Sequence, residues 1–152
     1  MSARDIKTYI EAARERYYRL ILVVGPSGSG KTKLLLGLSA DEGCPYINLG
    51  LALSERLLEL PVRTRTLRTP DIVSELVEGT GSDTVLLDNT EILFEPSLHQ
   101  DPLRLLQRLS RNLTIVASWN GRFEDKVLTY GQPGHPEAKS YHDVDALVYP
   151  LS

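Results

Sequence analysis

The chain has 152 residues, a net charge of −3, 41% hydrophobic and 24% charged residues and one cysteine. That balance is of an ordinary globular protein of one domain, large enough for a core without disulfides or structural metal. It excludes a strongly basic nucleic-acid binder, a disulfide scaffold and, with no apolar run near 18 residues, a membrane-spanning helix.

Residues 4–18 predict an amphipathic helix, with Ile6, Ile10, Ala13 and Tyr17 at helical spacing. The charged N-terminus has no apolar leader core, so a cytoplasmic location is expected. Tyr17 and Tyr18 precede the first strand, placed either in the core or near a nucleotide base. The core proper is expected over about 19–152. Leu20-Ile21-Leu22-Val23-Val24 reads as a strand buried on both faces. It runs into Gly25-Pro26-Ser27-Gly28-Ser29-Gly30-Lys31-Thr32, which satisfies G-x-x-x-x-G-K-[ST] at every fixed position. Glycines allow backbone N–H groups to close on an anion, and the helix starting at about Gly30 adds its positive end. Lys31 supplies a mobile charge for the outer phosphates. Thr32 offers a hydroxyl to Mg²⁺, which prefers oxygen ligands. Lys33 follows in the first helical turn. ATP and Mg²⁺ are therefore the expected ligands; no guanine-reading N/TKxD segment is present.

The helix should run to about Ala40 and break at Asp41-Glu42-Gly43. Cys44 reads as a buried, inert thiol. A short strand over 45–49 and a Leu-rich helix over 51–60 follow, closed by Pro61. Residues 61–68 are the most basic stretch: a solvated connection, or a patch for nucleic acid or an acidic partner. Thr69-Pro70 predicts the next helix start, with Thr as cap and Pro first.

Thr84-Val85-Leu86-Leu87-Asp88 is a strand ending in a carboxylate. In a parallel sheet that end lies beside the phosphate loop, so Asp88 is the candidate second Mg²⁺ ligand. Many P-loop ATPases place Glu directly after this Asp; here Asn89 stands there and Glu91 follows. Glu91 serves as base or water-positioner, or Asn89 orients water and Glu91 is structural. Residues 93–100 read as a loop. Asp101-Pro102 starts a helix whose Arg104, Arg108 and Arg111 are surface residues or, for Arg111 and Arg104, candidates for a finger acting on a neighbour's phosphate. Leu113 to Trp119 reads as a strand ending at Asn120. Asn120 can sense the terminal phosphate, or form a turn with Gly121. Trp119 reads as packing. His135 and His142 are loop histidines, and 146–149 is a fifth strand.

Alternating strands and helices predict a three-layer α/β fold with a mostly parallel five-stranded sheet. By analogy with the ASCE class of P-loop NTPases, an AAA+-like core, the expected order is 5-1-4-3-2, with no residues left for a helical lid.

The phosphate loop, Val85 to Phe94, Gln100 to Leu106 and Ala117 to Gly121 together resemble the BrxF family, small P-loop proteins of type 3 BREX (bacteriophage exclusion) systems. Leu128-Thr129-Tyr130 and Pro133-Gly134-His135-Pro136-Glu137 are also similar. The resemblance covers nearly the whole chain. It implies an antiphage role beside a DNA methyltransferase and other BREX components, with DNA reached directly or through them. The residues themselves leave three functions open: a Mg²⁺-dependent ATPase or assembly switch that self-associates on nucleotide binding, a nucleotide-gated interaction module, and a small-molecule kinase. The kinase is disfavoured because residues 91–101 carry no Arg for a closing lid.

Overall fold

The computed structural model describes residues 3–131 and 139–151. Its α/β fold is built on a mostly parallel sheet. Strands β1 (Leu20–Gly25), β2 (Tyr46–Asn48), β3 (Thr84–Asp88), β4 (Thr114–Glu124) and β7 (Leu147–Pro150) lie in the order β2-β3-β4-β1-β7, all parallel. This matches the order 5-1-4-3-2 expected by analogy, with β7 in the place of the fifth strand.

The sheet alternates its side chains between two cores. Leu20, Leu22 and Val24 face one side with α3 (Leu49–Leu58), α4 (Arg65–Glu78) and α5 (Pro102–Leu109). Ile21 and Val23 face the other with α1 (Ala3–Ala13) and α2 (Lys31–Glu42). Each fully buried Leu, Ile or Val contributes about 1.5–3 kcal/mol. The alternation therefore holds both helix layers on one strand. Among the described residues, no helix is long and apolar enough to cross a membrane.

The expectation of five strands is corrected: among the described residues the sheet has seven, five of them parallel. β4 does not stop at Trp119. It continues through Gly121 and pairs antiparallel with β5 (Val127–Tyr130), which pairs with β6 (Lys139–Tyr141). The Asp125-Lys126 turn makes this possible, both residues taking positive φ of 52° and 65°, the twist that suits a tight hairpin. Pro133 to Glu137, with His135, lie outside the described residues.

Two helix boundaries differ in an informative way. α1 ends at Ala13 rather than 18. α4 begins at Arg65, so Pro70 sits inside the helix and Thr69 is no cap. A helical proline leaves the carbonyl four residues back without its donor. Here that carbonyl is Thr66 O, and Gln100 Nε2 donates to it at 2.9 Å. Thr69 turns its hydroxyl back onto Arg65 O, 2.7 Å. The basic stretch 61–68 thus becomes a 3-10 turn and the first turn of α4, with Arg68 held near Asp71 and Glu75.

The Gln100→Ala chain is expected to lose about 1–2 kcal/mol, because Thr66 O and Leu98 O both lose their donor. Urea unfolding measures this; an unchanged midpoint would show that solvent replaces the amide at no cost.

Candidate nucleotide site

The site forms where β1, β3 and β4 end side by side. β1 delivers the chain into the phosphate loop at Gly25. Gly28 and Gly30 adopt φ of 82° and 100°, and a Cβ on either would point into open space. Gly30 caps α2 without any side-chain bond. The first-turn N–H groups of Lys31, Thr32 and Lys33 have no intrahelical acceptor. The loop is a concave set of donors at a positive helix end, with Pro26, Ser27 and Ser29 completing its rim.

Lys31 folds back across the loop and is only 7% exposed. Its Nζ donates to Gly25 O at 2.8 Å and Pro26 O at 2.7 Å, with a long 3.4 Å contact to Ser29 Oγ. Burial lowers its pKa, and the charges of Glu91 and Asp88 pull the other way.

Asp88 closes the site from β3. Thr32 Oγ1 donates to Asp88 Oδ2 at 2.6 Å, and the Tyr46 hydroxyl donates to the same oxygen at 2.6 Å. The Asn89 N–H donates to Oδ1 at 2.9 Å. Burial works to raise the Asp88 pKa, but these three donors, with the nearby Ser118 hydroxyl, outweigh it and lower it. Ser118 Oγ is buried and closes no hydrogen bond of its own. The donor set suits Mg²⁺: hard oxygens from Thr32 and Asp88, the carboxylate kept in its charged form.

Glu91 lies on the 3-10 turn Thr90–Phe94 after β3. Asn120 Nδ2 donates to Glu91 Oε1 at 2.7 Å. The two residues expected to handle water are therefore joined to each other across β3 and β4. Burial raises the Glu91 pKa and the Asp88 charge adds to it, against Lys31. Asn89 takes a left-handed conformation, φ 54°, and packs beside Gly50 of α3. The Thr90 hydroxyl ties the turn to Ser118 O.

An aromatic cluster holds this turn. Phe94 stacks on Tyr130 at 3.4 Å and meets Trp119 edge-on at 5.1 Å; Trp119 meets Tyr141 at 5.7 Å. Trp119 is fully buried, so it packs rather than presenting a platform.

The two arginines are placed away from this constellation. Arg111 follows α5 and stacks on the Tyr17 ring at 3.5 Å, donating to its hydroxyl at 2.6 Å. Tyr17 precedes β1, so both sit at the sheet edge opposite the phosphate loop, across a six-residue strand about 20 Å long. Tyr17, 62% exposed, is neither core nor base-facing. Tyr18 packs edge-on against it at 4.8 Å. Arg104 is exposed on α5, 4.0 Å from Asp101. Cys44 is half-buried, and burial raises its pKa, so little thiolate forms.

Tyr46, Ser118, Phe94 and Tyr130 are the site residues that motif spacing misses. Tyr46 had one signal: strand alternation places it on one face of β2 with Asn48, which is level with Asp88 in the register.

No family model matches the chain, and no curated protein matches it. Among solved structures the chain is similar to C. elegans PCH-2, at a TM-score of 0.49 and 20% sequence identity over 99% of this chain. The chain spans 41% of the length of that protein. What the site does follows from its own residues.

Proposed function

We propose that the chain binds ATP with Mg²⁺ in the loop Gly25–Thr32 and acts as a slow ATPase or ATP-driven assembly switch in a BREX system. The observation that carries the nucleotide reading is the 2.6 Å bond from Thr32 to Asp88. It joins the phosphate loop to the end of β3 at the point where a P-loop protein places its divalent ion. Support for the BREX assignment is the sequence resemblance alone.

In this reading the loop N–H groups and Lys31 hold the phosphates. Thr32 and Asp88 hold Mg²⁺, which would supply positive charge between the outer phosphates. Glu91 accepts the proton of the attacking water, and Asn120 fixes its carboxylate. The water oxygen bonds to the terminal phosphorus as the bridging bond breaks, releasing ADP and phosphate. The reading takes the five parallel strands β2-β3-β4-β1-β7 as the nucleotide-binding core. A second copy then completes the site on nucleotide binding, with exposed Arg104 better placed than Arg111 to reach a neighbour.

A second reading is a nucleotide-gated interaction module with negligible turnover. The observation favouring it is Asn89, which occupies the usual glutamate position in a left-handed turn. A single-turnover assay with labelled ATP and protein in excess, with and without DNA, separates the two. Product formation supports the ATPase; bound ATP that stays intact supports the module; no binding overturns both.

Glu91→Gln is expected to slow turnover about 100-fold or more while keeping ATP binding. The wild-type acid limb should lie above the ordinary Glu range and vanish in the variant. Stability moves the opposite way. The folded pKa is raised, so ionising Glu91 costs stability as pH rises through the window between its unfolded and folded values. The Gln variant should therefore melt higher than wild type at neutral pH, the difference closing in acid. Unaltered turnover would remove Glu91 from the mechanism.

A further inference from the structure

Asp88 carries more donors than a two-residue metal site needs. A carboxylate offers about four lone-pair positions. Thr32 and Tyr46 both donate to Oδ2, and the Asn89 N–H takes one position on Oδ1. The position these bonds leave is on Oδ1, and the Ser118 hydroxyl lies near the same carboxylate without closing a hydrogen bond to it. Whatever the hydration shell of a divalent ion presents to Asp88 must arrive there.

We infer that Tyr46 is a positioning residue for the metal: its hydroxyl saturates Asp88 Oδ2 and so fixes which carboxylate oxygen meets the ion's water shell. This rests on the nucleotide reading above and deepens it.

The fold makes Tyr46 suited to the task. β2 is the edge strand of the parallel set and, among the described residues, pairs only with β3, placing Tyr46 level with Leu86 and Asn48 level with Asp88. Tyr46 and Leu86 belong to the core on the α2 side of the sheet, so the phenol reaches forward along that face to the carboxylate two positions ahead. Its ring is half-buried there, and its hydroxyl bonds Asp88 Oδ2 at 2.6 Å. Thr32 approaches from α2. The two hydroxyls grip Oδ2 from separate elements, and removing the phenol leaves Thr32 alone to orient it. Without Tyr46, the freed Oδ2 position competes with Oδ1 for the ion's water. Losing a partner that orients a metal ligand typically weakens metal affinity about 10–100-fold.

The test is a binding measurement on the full chain. Fluorescent ADP is titrated in EDTA and again over a Mg²⁺ series, for wild type, Tyr46→Phe, Asp88→Asn and the double variant. Thermal melts without ligand confirm that each is folded. Tyr46→Phe should raise the half-saturating Mg²⁺ about 10-fold or more. In the Asp88→Asn background, Tyr46→Phe should shift it no further, because the group it positions is gone. A half-saturating Mg²⁺ within 2-fold of wild type overturns the proposal. So does an equal loss of affinity in EDTA and in Mg²⁺, which marks a purely structural role. Wild type failing to bind the nucleotide under any condition would instead refute the nucleotide reading itself. Should Tyr46→Phe fail to fold, Tyr46→Leu keeps an apolar side chain without any donor and is read in the same way.

Discussion

Lys31→Ala is expected to reduce ATP affinity at least about 100-fold, the equivalent of roughly 3 kcal/mol. The geometry gives the reason. An ammonium has three donors. Two make short bonds to Gly25 O and Pro26 O, while the third makes only a 3.4 Å contact with Ser29 Oγ. The third can turn to a phosphate without disturbing the two that hold the side chain over the loop. The charge is thus pre-positioned, and little ordering remains to be done on binding. Isothermal calorimetry measures the loss, and a melting curve shows that the variant is folded. Affinity within 5-fold of wild type would mean that the backbone cradle alone binds the phosphates.

Gly121→Ala should be the most damaging single-methyl change outside the loop. A Cβ at Gly121 would fall 1.8 Å from Thr129 O and 2.8 Å from the Thr129 carbonyl carbon. Both are backbone atoms of the strand it pairs with, so no rotamer relieves the clash. β5 must move away, parting the Gly121–Tyr130 pairing and the 3.0 Å bond from Trp119 Nε1 to Thr129 O. The expected cost is about 3 kcal/mol or more. The sole tryptophan of the chain, Trp119, reports it directly: its emission should shift to the red as the cluster with Phe94 and Tyr141 loosens. Turnover should fall too, because Asn120 is the preceding residue. Stability within 0.5 kcal/mol (about the scatter of surface changes) would show that the hairpin tolerates the separation.

These two residues differ in how readable they are. Lys31 belongs to a motif in which each residue type has its own reason, so loop, helix and metal partner follow from spacing. Asp88 follows from a general rule about strand ends; alternation of hydrophobic runs with helical periods gives the mostly parallel sheet, while the strand order rests on analogy with one class of P-loop folds. Glu91 and Asn120 were legible as separate candidates; the bond between them was not. The hairpin was harder. Residues 121–126, Gly-Arg-Phe-Glu-Asp-Lys, carry no Asn-Gly or Asp-Gly turn, and β4 crosses from one sheet type to another in mid-strand. The start of α4 was misread because Pro70 is a strong local signal, while the compensation by Gln100 lies on a distant loop. Tyr46 was missed for the same reason: its role exists only once β2 lies beside β3.

The sheet order sets the sequence of events when the chain emerges from the ribosome. β1 is the first strand of the chain, yet in the sheet it lies between β4 and β7 and not beside β2: Leu20 pairs with Ile115, and Ile21 with Leu147. No nearby segment can receive it. During synthesis at about 5–20 residues per second, Leu20-Ile21-Leu22-Val23-Val24 therefore waits several seconds with both edges unpaired. It is apolar, rich in branched residues and free of proline and charge, the composition that pairs with other chains. The strand that later carries the phosphate loop is thus an aggregation hazard of the nascent chain until β4 is made.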